Sequence, residues 1–147
     1  PTRFEVGSMA VEPIPLGHPN MGSGYKFIED GKTFVFLTDN ELGFVHPGGL
    51  PRDRYLDFAY GADLLFHDAE YTPEEYESKV LWGHSSYTEA VDLALQAGVQ
   101  TLGLFHHSQE RNDEEIDKIV ENCRKMIAAE GHTMDCFAVA ADNYFEL

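Results

Sequence analysis

A set of polar side chains stands just beyond short apolar runs. His18 follows residues 11–16, Asp39 follows 33–37, Asp68 follows 63–66, and His106 with His107 follows 101–105, while His84 lies between a turn and a helix start. In an open α/β sheet, residues just past the strand ends line the crevice where ligands bind. Imidazole and carboxylate groups gathered there are the ligand chemistry of a borderline divalent ion such as zinc. Asp39 ends an apolar run, and an ionised carboxylate in that setting needs a compensating partner. It reads either as a turn aspartate or as a metal ligand, one able to bridge two ions. His106 and His107 are adjacent, so in extended chain they point to opposite sides and at most one faces a given site. His106 is then the ligand candidate, with a core histidine held by the backbone as the alternative.

His84 precedes Ser85-Ser86 at a helix N-terminus, where free amides and the positive end of the dipole welcome an anion. There it could pass a proton to a leaving oxygen while the Ser85 or Ser86 amide holds a phosphate. A carboxylate such as Asp68 could fix the ring tautomer and support its protonated form. A loop histidine in solvent is the other reading. His18 lies among glycines that permit close backbone approach and is a weak signal by itself. His46 sits in a Gly/Pro loop that could overhang the site, His67 points away from Asp68 if that segment is extended, and His132 follows a helix stop at the surface.

Positioning these groups falls to alternating elements. Residues 2–9 and 10–16 read as short strands, and 25–28 with 33–37 as a hairpin whose turn contains Asp30-Gly31, a strong two-residue hairpin signal. Residues 52–60 read as a short helix stopped by Gly61, and 63–67 as the next strand. Thr72-Pro73-Glu74-Glu75, Ser86-Tyr87-Thr88-Glu89 and Asn112 to Glu115 each open a helix with a cap and a glutamate three residues on. The third helix carries Ile116, Ile119, Val120, Cys123 and Ile127 on one face and ends at Gly131. Strands at 101–105 and 136–140 complete the series. Hairpins first and strand–helix alternation later predict an α/β (α+β) single domain over 1–147, a mixed sheet with helices on one face.

The chain has 147 residues, 43% of them hydrophobic, enough for a real core. Its net charge of −16 repels phosphate backbones, so binding of bulk nucleic acid is not expected. The two cysteines flank no CxxC, Cys123 reads as a buried packing residue, and a reducing cytoplasm follows. No apolar run approaches the roughly 18 residues of a membrane span. A strand-like run begins straight after Pro1, which suggests a cut from a longer protein.

Taken together these segments resemble the C-terminal half of the metallo-β-lactamase superfamily, in its phosphodiesterase branch. That branch includes ribonuclease Z, class III cyclic nucleotide phosphodiesterases and phosphoribosyl cyclic phosphate phosphodiesterase. The resemblance is carried by His18-Pro19 with Gly24-Tyr25-Lys26, then Phe36-Leu37-Thr38-Asp39-Asn40, then Ala62-Asp63-Leu64-Leu65-Phe66-His67-Asp68-Ala69-Glu70-Tyr71-Thr72. Trp82-Gly83-His84-Ser85-Ser86 and Leu104-Phe105-His106-His107 follow in the same order. It implies one αβ half of a four-layer αββα sandwich. It also implies metal ligation by His18, Asp39 (bridging) and His106, and a catalytic pair of His84 with Asp68. Ser85, Ser86 and His107 would then contact substrate. The reaction implied is hydrolysis of a small phosphodiester or cyclic phosphate at a site with two divalent ions, zinc or alternatively manganese.

Two departures shape the expectation. The HxHxDH motif, which supplies most remaining ligands, is absent from these residues, and Ser108-Gln109 follows the histidine pair where close relatives often show Asp-Pro. Two ligands per ion fall short of the three or four that zinc sites use. Weak or no metal binding, and no activity, are therefore expected of the segment alone. Its bare sheet face would need cover from an N-terminal half carrying the motif or from a second copy of the chain. A non-catalytic interaction domain that dimerises through this face is the competing reading, and ester, thioester or lactam hydrolysis a third.

Overall fold

The computed structural model describes residues 2–147. Strands β1 (Phe4–Val6), β2 (Met9–Pro15), β3 (Ser23–Glu29) and β4 (Lys32–Leu37) form an antiparallel meander. Asp30 and Gly31 both have positive φ, 48° and 79°, as the tight turn that matches strand twist requires. β1 is shorter than the expected run 2–9 because Gly7, at φ 64°, turns the chain there. From β4 onward the pairing is parallel, through β5 (Leu64–Asp68), β6 (Thr101–Phe105) and β7 (Asp135–Ala138). The crossovers carry α1 (Arg52–Ala59), α2 (Pro73–Tyr76) with α3 (Tyr87–Gln96), and α4 (Asp113–Ala129).

All three expected capping boxes form, at Thr72, Ser86 and Asn112. The first opens only one turn, because α2 has no buried face to reward propagation. The strand order is sequential, β1 to β7. When successive parallel strands add in one direction, right-handed crossovers all lay their helices on the same face. That face holds the core: Val35, Leu37, Leu65, Leu102 and Leu104 of the sheet meet Leu93, Ala94, Val120, Cys123 and Ile127 of the helices.

Strand alternation sends the intervening residues to the other face. There Phe27, Phe34, Phe36, Phe66, Phe105 and Phe137 remain only partly buried. They pack on one another, Phe34 on Phe66 at 5.0 Å and Phe36 on Phe105 at 5.3 Å between ring centroids. Phe145 lies over Phe137 and Phe66, at 4.7 and 5.5 Å. Cys123 and Cys136 are buried free thiols. Among the described residues no helix is long and apolar enough to cross a membrane.

Candidate active site

β4, β5 and β6 run parallel, and β2 runs the same way because β3 reverses between β2 and β4. The C-terminal ends of all four therefore meet at one edge of the sheet. His18, Asp39, Asp68 and His106 come from those ends, and His84 joins them from the segment leading into α3. Asp39 and His106 take left-handed backbone, φ 58° and 55°. For non-glycine residues this conformation costs about 1 kcal/mol or more, and it clusters where geometry serves function.

Asp39, Asp68, His84 and His106 each offer a ligand atom, and these atoms all lie within 4.8 Å of one another. His106 Nε2 is 3.2 Å from Asp39 Oδ1, with the two side chains 37% and 47% exposed. Its Nδ1 is 3.1 Å from Glu70 Oε2, yet neither atom has a hydrogen-bond partner. His84 stacks on His106 at 4.5 Å and donates from Nδ1 to Asp68 Oδ2 at 2.6 Å. His18 packs edge-on to His84 at 5.4 Å. Its Nδ1 accepts from the Asn20 amide, which leaves Nε2 free of that bond. Two carboxylates and two imidazoles, with unpartnered polar atoms beside them, fit a divalent cation.

Asn40 ties these strand ends together. Its Oδ1 accepts from the Gly17 amide, its Nδ2 donates to His67 Nε2, its amide donates to Asp68 Oδ2, and its carbonyl accepts from the Ser85 hydroxyl. Glu41, 1% exposed, buttresses the loop before His84. It accepts from His46 Nε2 (2.7 Å), the Tyr76 hydroxyl (2.7 Å), the Leu81 amide (2.9 Å) and the Gly83 amide (2.8 Å). Sequence reasoning missed Glu41 and Glu70. Glu41 directly follows Asp39-Asn40, and an acid next to a ligand candidate was the available signal.

Each expected residue has a definite place. His84 and Asp68 are directly bonded; Asp39 and His106 are in contact; His18 stands beside His84 but outside the four-residue cluster. His107 lines the adjoining cleft with both ring nitrogens unpartnered. Ser85 and Ser86 do not reach that cleft wall. The Ser85 amide is bonded to Asp68 Oδ1, and its hydroxyl bonds the Asn40 carbonyl and the Leu42 amide. Ser86 is the cap of α3, its amide held by Glu89. No free amide is left at either residue, because the neighbouring carboxylates reach them first. His67 is buried and points away from the cluster, its Nδ1 donating to the Asp68 carbonyl.

Charge states follow from these contacts. Burial lowers the His84 pKa, but the bond to Asp68 and the charges of Asp68, Glu70 and Asp39 outweigh it, and the net shift is upward. Burial raises the Asp68 pKa, against the opposing pull of His84. His18 and His107 are both shifted down, chiefly by burial, which keeps them neutral as ligands or acceptors must be.

A mixed sheet with a carboxylate–imidazole cluster at the ends of its parallel strands has counterparts among known proteins. YhfI of Bacillus subtilis, a metallo-β-lactamase fold protein, superposes with a TM-score of 0.71 at 19% identity, over 94% of this chain and 49% of its own. The short form of human tRNase Z gives 0.59 at 24% identity, over 72% of this chain and 39% of its own. In sequence, the ribonuclease Z of Brevibacillus brevis is 36% identical over 114 residues, which is 76% of this chain and 33% of the relative. No family model matches the chain. The chain has the metallo-β-lactamase fold, and its sequence is similar to ribonuclease Z proteins of that superfamily's phosphodiesterase branch. It spans about a third of the length of the curated relatives it matches.

Proposed function

We propose that this chain is the C-terminal half of a metal-dependent hydrolase that cleaves a small phosphodiester or cyclic phosphate. The observation that carries the reading is the bonded His84–Asp68 pair stacked against the Asp39–His106 contact at one sheet edge. Asp39, His106 and His18 would hold the metal, and Asp39 would be the ligand shared if two ions bind. The ligands missing from this sequence would come from an HxHxDH-bearing segment or from a second copy of the chain. Bound divalent ions, zinc or manganese, would supply Lewis acidity toward water and the phosphoryl oxygens.

Asp68 holds the His84 Nδ1 proton, which directs Nε2 toward the cleft and favours the imidazolium. His84 can then give its Nε2 proton to the leaving oxygen. His107, neutral and unpartnered, offers a hydrogen bond to a phosphoryl or hydroxyl group. Ser85 acts through Asp68, whose carboxylate it orients. The acidic surface favours a small substrate over a long nucleic acid, and the cytoplasm remains the expected compartment.

The test is hydrolysis of bis-p-nitrophenyl phosphate by the protein carrying this chain, stripped with chelator and reloaded with zinc or manganese. Metal-dependent turnover is expected. No turnover with either metal, together with a metal-free dimer in elemental analysis and light scattering, would establish the interaction-domain reading instead.

A further inference from the structure

Glu70 stands two residues after Asp68, just past the end of β5. Its Oε2 is buried, lies 3.1 Å from His106 Nδ1 and 3.5 Å from His84 Nδ1, and makes no hydrogen bond. His106 Nδ1 is likewise buried and unpartnered. A buried polar atom left without a partner is costly, and more so when it is charged. Two such atoms at contact distance point to each other, because one proton between them removes both costs.

The neighbours decide which pairing is open. His84 Nδ1 already donates to Asp68 Oδ2 at 2.6 Å, the shorter of its two carboxylate contacts, and that leaves Glu70 for His106. The backbone of Glu70 is held in place: its amide donates to Asp68 Oδ1 and its carbonyl accepts from Arg111 Nη2. Arg111 follows His106 by five positions, so the same bond ties the loop that carries His106 to the segment that carries Glu70. The His84 and His106 rings stack at 4.5 Å with their planes 17° apart. Asp68 with His84 and Glu70 with His106 are thus two carboxylate–imidazole pairs side by side. On the far side of its ring, His106 Nε2 meets Asp39 Oδ1 at 3.2 Å. The Glu70 side chain is 19% exposed and that of Asp39 47%, so water screens the Asp39 contact more strongly.

We propose that Glu70 is a positioning residue: it accepts the His106 Nδ1 proton and so turns the Nε2 lone pair toward Asp39 and the divalent ion the two would share. A histidine that binds metal through one nitrogen donates from the other, and a carboxylate there fixes the ring and strengthens it as a ligand. The two atoms are at bonding distance but not in line, so a turn of the ring completes the bond. The assignment rests on the reading of His106 as a metal ligand and adds the group that aims it.

The first test needs neither metal nor activity. Long-range proton–nitrogen correlation spectra of the metal-free protein carrying this chain, at a pH where the His106 ring is neutral, show which nitrogen holds the proton. Nδ1–H is expected in the wild type, and a shift to Nε2–H, facing Asp39, in Glu70→Ala. A wild-type ring protonated at Nε2 would overturn the assignment by itself, even if the alanine variant does not fold.

The second test is zinc affinity, measured by competition with a chromophoric chelator. Glu70→Ala should weaken binding by about 10- to 100-fold. Glu70→Gln keeps an acceptor oxygen of the same reach and should stay within about fivefold of the wild type. Unchanged affinity in Glu70→Ala, or equal losses in the two variants, would overturn the positioning role. A wild-type protein that binds no zinc would refute the metal reading of the site instead, and the ring tautomer would still decide whether Glu70 holds His106.

Discussion

Replacing Glu41 by glutamine keeps the side chain's volume and removes its charge. The carboxylate is 1% exposed and accepts four hydrogen bonds, from His46, Tyr76, Leu81 and Gly83. Glutamine turns one of the two oxygens into an NH2. In the Oε1 position that group confronts the Leu81 amide, and in the Oε2 position it confronts the Gly83 amide. Tyr76 can rotate its hydroxyl and His46 can change tautomer, but a backbone N–H cannot turn away. One buried donor is stranded in either orientation, at about 1–3 kcal/mol, and the surviving bonds lose charge assistance worth about 1 kcal/mol more. Glu41→Gln should therefore lower the unfolding free energy by roughly 2–4 kcal/mol, and Glu41→Ala by more.

Urea unfolding at neutral pH measures the loss, and amide hydrogen exchange locates it at Leu81 and Gly83, where protection should fall by about tenfold or more. The hydrogen bonds outweigh burial and hold the Glu41 carboxyl below its ordinary value of 4.5. Its contribution is then present above that value and lost as pH falls through the lower folded-state value, so the gap between wild type and Glu41→Gln should close in acid. Unfolding within about 0.5 kcal/mol of wild type, with both amides equally protected, would refute the strut.

Two further outcomes are expected. Burial pushes the His67 imidazole down to about 4 from 6.5, so the unfolded chain takes up a proton between those values that the folded chain refuses. Stability should be full above pH 6.5 and fall by about 3 kcal/mol toward pH 4; a urea-midpoint profile that keeps the same slope in His67→Gln would assign the loss elsewhere. His84→Ala should reduce kcat by about 10²- to 10⁴-fold on a diester with an alkoxide leaving group and far less with p-nitrophenolate. Equal losses on the two would remove its role as proton donor.

Local signals were the readable ones. Asp30-Gly31, the capping boxes and the apolar stripe of α4 are each decided within a few residues, and the mixed sheet with helices on one face follows from hairpins giving way to strand–helix alternation. The cluster at the sheet edge was legible because parallel strands bring their ends to one side. What stayed hidden depends on distant partners. Glu41 earns its burial from His46, Tyr76, Leu81 and Gly83, up to forty-two positions away. Glu70 was given no role in the sequence, yet it faces His106 across the cluster. Ser85 and Ser86 read as owners of free amides, because nothing in the local pattern says that Asp68 and Glu89 will bind them.

The left-handed backbone at Asp39 and His106 sets stability against chemistry at the same two positions. Glycine at either would relax the chain by up to about 1 kcal/mol and abolish a donor atom. If the two side chains hold metal as proposed, a descendant without that chemistry would gain by shedding them first, and their identity in any sister lineage would gauge whether it is still under selection.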